Sequence, residues 1–330
     1  MNTSILYCVW YTHARRAETL ARELNAKLVF IYESHLRGFW LKPLRYVLQT
    51  WKTWRLLERE QPAFIIVQSP PVFAPLAVAL WCKVRGRKHS AYIIDCHLGT
   101  FYHRQWRWAL PIFRLLARGA VISLLCNQDA QRFLHRWRAR YMFLPDGLPD
   151  LSSYSGDLGS EGEKRIGVIS SFAYDEPIVE LFEAARLTPQ VTYYVTGNPE
   201  RSTPEILARR PNNVILTGFL PDDIYRGLLH NVQGLVVLTT MPYILCCGAY
   251  EALSLARPTI LSDLPEHRQL FAQGFVLVQN EPEEIAKGVE KLLKELDGFE
   301  RQAQLLREEY HLFRQPKLEK LVSLLGSTHG

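Results

Sequence analysis

Residues 238–263 read LTTMPYILCCGAYEALSLARPTILSD, and their pattern decides the architecture. An apolar run ends at Leu238, a stretch without periodicity covers 239–247, apolar positions return at helical spacing from Gly248, and a second apolar run follows at 258–261. Strand, loop, helix and strand in so short a span form the connection of a parallel sheet. Glu251 falls in the first turn of the helix, whose unpaired N–H groups and positive dipole end form a site for phosphate. Gly248 would let such a group approach the backbone closely. A carboxylate accepts hydrogen bonds from sugar hydroxyls, so amides plus one acid suit the phosphates and ribose of a nucleotide together. The plainer reading, in which Glu251 only complements the dipole and Cys246 and Cys247 belong to the core, stands beside it.

The same alternation runs outward in both directions. Candidate strands lie at 5–10, 27–31, 64–68, 89–94, 120–125 and 140–143, then at 164–169, 191–196, 214–217, 234–238, 258–261 and 275–278. Helical patterns fill the intervals, among them 15–24, 178–185, 221–229, 249–255 and 283–295. This predicts an α/β protein with two doubly wound Rossmann-like domains, 1–150 and 151–330, facing each other across a cleft. The Ser-, Gly- and Asp-rich stretch 149–163 reads as the linker, and the last helices, about 298–325, are expected to pack back on the first domain. The 19 uncharged residues 64–82 would almost span a bilayer. Pro70, Pro71 and Pro75 break them into strand, turn and helix. No basic region followed by an apolar stretch and a cleavage site opens the chain, so no secretory signal is expected.

Composition narrows the function. Of 330 residues, 48% are apolar and 22% charged, which excludes a disordered or fibrous chain. Six scattered cysteines without a Cys-x-x-Cys pair make neither a disulfide framework nor a zinc site. Charge is divided unevenly: residues 1–150 hold 22 Lys and Arg against 9 Asp and Glu, and residues 151–330 hold 17 against 24. All eight tryptophans lie in the basic half, a pairing suited to a bilayer surface or a polyanion.

The run Gly-Ala-Tyr-Glu-Ala-Leu-Ser-Leu-Ala-Arg-Pro-Thr-Ile from Gly248, preceded by Thr217-Gly-Phe-Leu-Pro and followed by Ser262-Asp, resembles the donor-binding half of the large retaining glycosyltransferase family with two Rossmann-like domains (the GT-B fold). The resemblance covers most of 165–296 and the first half in outline. It implies transfer of a sugar from a nucleotide-diphosphate donor, with retention. Glu251 matches the second acid of the family's Glu-x7-Glu pattern, which holds the donor ribose. Tyr243 stands where the first acid, the one on the transferred sugar, would be. Cys246 and Cys247 occupy loop positions whose amides face sugar and phosphate, and Ser170 and Ser171 match the segment on the diphosphate, without the basic pair commonly found nearby. Gly197 and Asn198 resemble the turn after the domain's second strand, and Phe219 lies in the segment that reads the base.

In the first half, the strand YIIDCHLGT ends in Asp95 and His97. Family members often carry a His here, on the donor sugar or the developing charge, which makes His97 the first catalytic candidate and Asp95 the second. A His or Asp capping the following helix, and a buried strand-end Asp satisfied by backbone amides, are the structural alternatives. The loop after the first strand carries His13, Arg15 and Arg16 where the family has glycines. Guanidinium forks pair with phosphate, so these are acceptor candidates, weighed against solvated helix-start residues.

Residues 40–59 form an amphipathic helix with Trp40, Leu44, Val47, Leu48, Trp51 and Trp54 on one face and Lys42, Arg45, Lys52 and Arg59 beside it. Such a helix can lie in a membrane interface, although at least half of these apolar residues are expected to pack on the sheet instead. The expected partners are a nucleotide-sugar donor, a lipid-linked or phosphate-containing acceptor and an anionic membrane surface, with no nucleic acid. The expected place is the cytoplasmic face of the membrane. No cofactor or metal is expected: no Asp-x-Asp signature appears, and Asp222-Asp223 reads as the cap of the helix after Pro221. A non-catalytic partner subunit and a nucleotide-sugar epimerase are the alternatives.

Overall fold

The computed structural model describes residues 4–36, 38–85, 90–154, 163–242 and 244–327. Tyr243 and most of the expected linker lie outside the described residues. Two compact units emerge, one of Met1–Gly147 with Phe313–Gly330, the other of Leu148–Leu312.

The first unit runs β1 (Ile5–Val9), α1 (Arg15–Glu23), β2 (Lys27–Phe30), α2 (Lys42–Glu60), β3 (Phe64–Ser69), α3 (Phe73–Arg85), β4 (Ala91–Cys96), α4 (Gly99–Tyr102), α5 (Leu110–Gly119), β5 (Ser123–Leu125), α6 (Gln131–Arg136) and β6 (Tyr141–Phe143). Its six strands are parallel in the order β2-β1-β3-β4-β5-β6. The strands read as continuous apolar runs because both faces are covered. Leu6, Cys8, Ile65 and Val67 meet α2, α3 and α5, while Tyr7, Val9, Phe64 and Ile66 meet α1 and the C-terminal residues Leu321 and Leu325. The apolar run from Phe64 is indeed a strand, a proline turn and a helix. No helix among the described residues is long and apolar enough to cross a membrane.

The second unit runs β7 (Lys164–Val168), α7 (Ile178–Leu187), β8 (Val191–Thr196), α8 (Pro204–Leu207), β9 (Val214–Gly218), α9 (Asp222–Asn231), β10 (Gly234–Val237), α10 (Cys247–Ser254), β11 (Thr259–Ser262), α11 (Pro265–Phe271), β12 (Val276–Val278), α12 (Pro282–Lys294) and α13 (Leu296–Ser327). The unit boundary falls inside α13, at Leu312. The order β12-β11-β10-β7-β8-β9 is the dinucleotide-binding arrangement, and the strand order reverses between β7 and β10. Prolines open α8, α11 and α12, where a missing N–H costs nothing. Asp222 and Asp223 do not cap α9. Pro221 is its cap residue, and the two acids lie in the first turn, Asp222 paired with Arg226.

Candidate functional site

The loops after β7 and β10 flank the switch point of the second unit, where open α/β sheets bind ligands. Hydrogen bonds across four strand ends lock them. The Thr239 hydroxyl donates to Asp175 (2.7 Å), the Thr239 amide to Ser262 Oγ (2.9 Å), Ser262 Oγ to Asn280 Oδ1 (2.7 Å), and Asn280 Nδ2 to the Thr239 carbonyl (2.9 Å). Helix α10 starts directly behind this network, and no side chain caps it at Cys246. The Cys246 thiol is pushed up to about 12, by burial first and then by the nearby charges of Asp175 and Glu176. It is not a reactive thiolate. Cys247 opens the helix and is exposed.

Two expectations about α10 need correcting. The helix begins at Cys247, so Glu251 is its fifth residue and sits in the second turn. Its side chain is buried, with the Tyr225 hydroxyl of α9 donating to Oε2 at 2.5 Å. Helix-dipole compensation therefore does not explain Glu251. The absent side chain of Gly248 does not face an open phosphate site either: a Cβ there would stand 2.9 Å from Ile169 Cγ2 and 3.1 Å from Val237 Cγ1. Glycine lets the helix lie close on the sheet, the third of the glycine roles in dinucleotide folds.

Ser170 and Ser171 are gathered around an acid. The hydroxyls of Ser170 and Ser171 and the Ser171 amide all donate to the Glu176 carboxylate, at 2.5, 2.8 and 3.0 Å. A loop that can bind an anion thus carries one of its own. Gly197, at φ +95°, abuts this loop, and a Cβ would fall 2.3 Å from the Ser170 carbonyl oxygen. The carboxamide of Asn198 accepts from the Glu200 amide and so is occupied as a cap. Phe219 projects from the end of β9, 89% exposed.

In the first unit the strand end of β4 holds a buried ion network. Asp95 is fully buried and accepts from the Tyr7 hydroxyl (2.5 Å) and from Arg16 Nε (2.9 Å). Arg16 Nη1 reaches Asp146 (2.7 Å) and the Leu144 carbonyl (2.9 Å). Burial alone would raise the carboxyl pKa of Asp95, but Arg16, His97 and Tyr7 outweigh it and hold the group well below the usual carboxylate range. Burial and the Asp95 charge together push the Tyr7 phenol well above its usual value. Nε2 of His97 lies 3.4 Å from Asp95 Oδ2, and the ring is partly exposed.

This corrects two readings. Arg16 is not a surface fork awaiting an acceptor phosphate, since its side chain is 3% exposed and committed to the network. Asp95 is satisfied by side chains rather than amides, and it faces inward. His13 and Arg15 stay near the surface and share Glu18, at 2.8 and 3.7 Å. Within each unit, then, the structure brings together Asp95, His97 and Arg16, and separately Ser170, Ser171 and Gly197. Reading residue by residue missed Tyr225, Asp175, Glu176, Tyr7 and Asp146, whose partners are remote in sequence or lie in a loop without periodicity.

The outer face of α2 departs from expectation in the other direction. Its buried residues are Gln49, Thr53, Leu56 and Leu57. Leu44, Val47 and Trp51, and Trp40 just before the helix, are exposed instead, Val47 at 64% and Trp40 at 89%, whereas Leu48 is partly buried and Trp54 packs against the core as expected.

No protein-family model matches the sequence, and no curated protein matches it. Solved structures do. Anabaena HepE in complex with UDP and glucose is similar over 98% of this chain and 100% of its own, at 14% identity and a TM-score of 0.74. A glycosyltransferase from Rickettsia africae is similar over 98% of both chains, at 11% identity and a TM-score of 0.69. A UDP-N-acetylglucosamine 2-epimerase is similar over 92% of this chain and 90% of its own, at 14% identity and a TM-score of 0.59. The fold is the GT-B fold of two Rossmann-like domains.

Proposed function

We propose that this protein is a glycosyltransferase that moves a sugar from a nucleotide-diphosphate donor to a phosphate- or lipid-containing acceptor at an anionic membrane surface, with retention as the family resemblance implies. The observation that carries the reading is Glu251. It is a buried carboxylate one turn into the helix behind the switch-point loop, in a fold shared with a protein solved with UDP and glucose.

In this reading the amides at the start of α10, from Cys246 through Gly248, face the diphosphate, and Glu251, oriented by Tyr225, accepts from the ribose hydroxyls. Helix-end amides stabilise the departing diphosphate without needing charged side chains. The loop of Ser170 and Ser171 serves the same group once Glu176 gives up its hydrogen bonds. Gly197, Asn198 and Phe219 border the base, and Tyr243 takes the position of the family's sugar-contacting acid. His97, with a buried carboxylate beside it, supports the charge developing on the sugar. Asp95 and Arg16 hold that imidazole in place rather than react. His13 and Arg15 are the acceptor-side residues. The exposed indoles of Trp40 and Trp51 and the basic surplus of the first unit suit a membrane interface.

Calorimetry with UDP and other nucleoside diphosphates tests the donor site. Glu251→Ala is expected to weaken nucleotide binding by about tenfold or more, the worth of a hydrogen bond to a charged group. Glu176→Gln is expected to tighten it by removing the competing anion. Unchanged affinity in the first variant counts against the reading. The epimerase reading is favoured by one observation, the similarity to an epimerase of the same fold. Nucleotide sugar converted without acceptor, and without release of free nucleotide, would establish it.

A further inference from the structure

The candidate site residues of the first unit, His13, Arg15, Arg16, Asp95 and His97, lie at or after the C-terminal ends of β1 and β4. At the opposite edge, where the chain enters β4, β5 and β6, lies a groove of about 710 Å3 between α3 and α5. That is within the ~300–1,000 Å3 usual for small-molecule sites.

Its floor is apolar, made by Ala79 and Cys82 of α3, Leu116 of α5 and the ring of Tyr92. The Tyr92 hydroxyl donates to the Leu116 carbonyl at 2.8 Å, which leaves the ring as an apolar surface. Leu80 and Leu115 stand on the rim, 47% and 68% exposed, an arrangement water disfavours and a hydrocarbon would relieve. Two cations border the groove, Lys83 and Arg140. Both are exposed, and among the described residues neither forms an ion pair and no acid lines the groove. An apolar trough ending in unpaired positive charge is complementary to a chain with an anionic head.

We propose that this groove takes up one hydrocarbon chain of an anionic lipid, with Lys83 and Arg140 on its headgroup. The proposal does not depend on sugar transfer, because none of these residues belongs to the donor or acceptor machinery. It gives the basic unit a specific lipid site in addition to a surface that lies on a bilayer.

The test titrates the full chain with alkyl phosphates of six to twelve carbons (below their micelle concentrations) by calorimetry, with sodium phosphate as the head-only control. Affinity should rise about fourfold per added methylene while the groove has room. Ala79→Trp, which fills the floor, should abolish that chain-length dependence. Lys83→Glu with Arg140→Glu should weaken every member of the series alike and remove its salt dependence. Leu115→Glu, at an exposed position that folding does not need, should weaken the long chains most and serves if Ala79→Trp fails to fold. A folded protein that binds no dodecyl phosphate, an affinity independent of chain length, or full binding by both folded groove variants would overturn the proposal.

Discussion

Asp95 is where a single residue shows how charge, burial and position combine. A carboxylate with no solvent contact survives only because Arg16, Tyr7 and His97 supply what water would. Removing its charge leaves the Arg16 guanidinium buried against one remaining acid, Asp146. Asp95→Asn is therefore expected to destabilise the first unit by about 3–5 kcal/mol near neutral pH, measured by urea unfolding. The sign of the pH dependence follows from the depressed pKa. Between the folded value and the unfolded value of about 3.9, the unfolded chain binds more protons, so stability is complete above about pH 4 and is lost as pH falls below it. The difference between wild type and variant should shrink along that limb. In the sequence, Arg16 and Arg15 look alike. Which one turns inward depends on the phase of α1 against the sheet, and a sequence of adjacent arginines does not contain that phase.

At the scale of elements, the helix-and-strand grammar was legible and its use was not. All twelve strands form close to their expected limits, because parallel strands covered on both faces must be short continuous apolar runs between helical ones. The start of α10 moved by one residue, which carried Glu251 into the second turn and against Tyr225. Helix α2 teaches the converse lesson. Its apolar stripe predicted a contact, but the helix buries the neighbouring face, including Gln49, which donates to the Ile31 carbonyl, and Thr53, which accepts from the Trp10 indole. Polar residues with partners can win the inward face, which leaves Leu44, Val47 and Trp51 outside while Trp54 of the same stripe still packs on the core. Val47→Glu with Trp51→Glu should lower binding to vesicles containing phosphatidylglycerol by about tenfold or more, through lost insertion and added repulsion. Because both positions are exposed, the melting temperature should hardly change. Equal vesicle binding by wild type and variant would remove α2 from the membrane reading.

On the scale of the whole molecule, the first unit is completed by the far end of the chain. Arg314 holds Glu23 in a fork at 2.6 and 2.7 Å and donates to the Pro145 carbonyl at 3.0 Å, and Leu321 and Leu325 fill the core under α1. Ending the chain after Leu312 removes two buried leucines worth about 1.5–3 kcal/mol each, and it leaves Glu23 without its fork. A calorimetric scan of the truncated chain should show the first unit melting well below its temperature in the full chain, while the second unit is little changed. The sequence by itself determined the two doubly wound sheets, the carboxylate behind the switch-point loop and the contrast in charge between the halves, since each rests on local periodicity or on counting. Only the tertiary structure decided that Arg16 and Asp95 neutralise each other, that Glu176 occupies the serine loop, that Gly248 serves packing, and that Val47 and Trp51 of α2 face outward while Trp54 packs on the core. Each of these is a choice between partners far apart along the chain, and such choices are made by how helices lie on a sheet rather than by the residues that precede or follow.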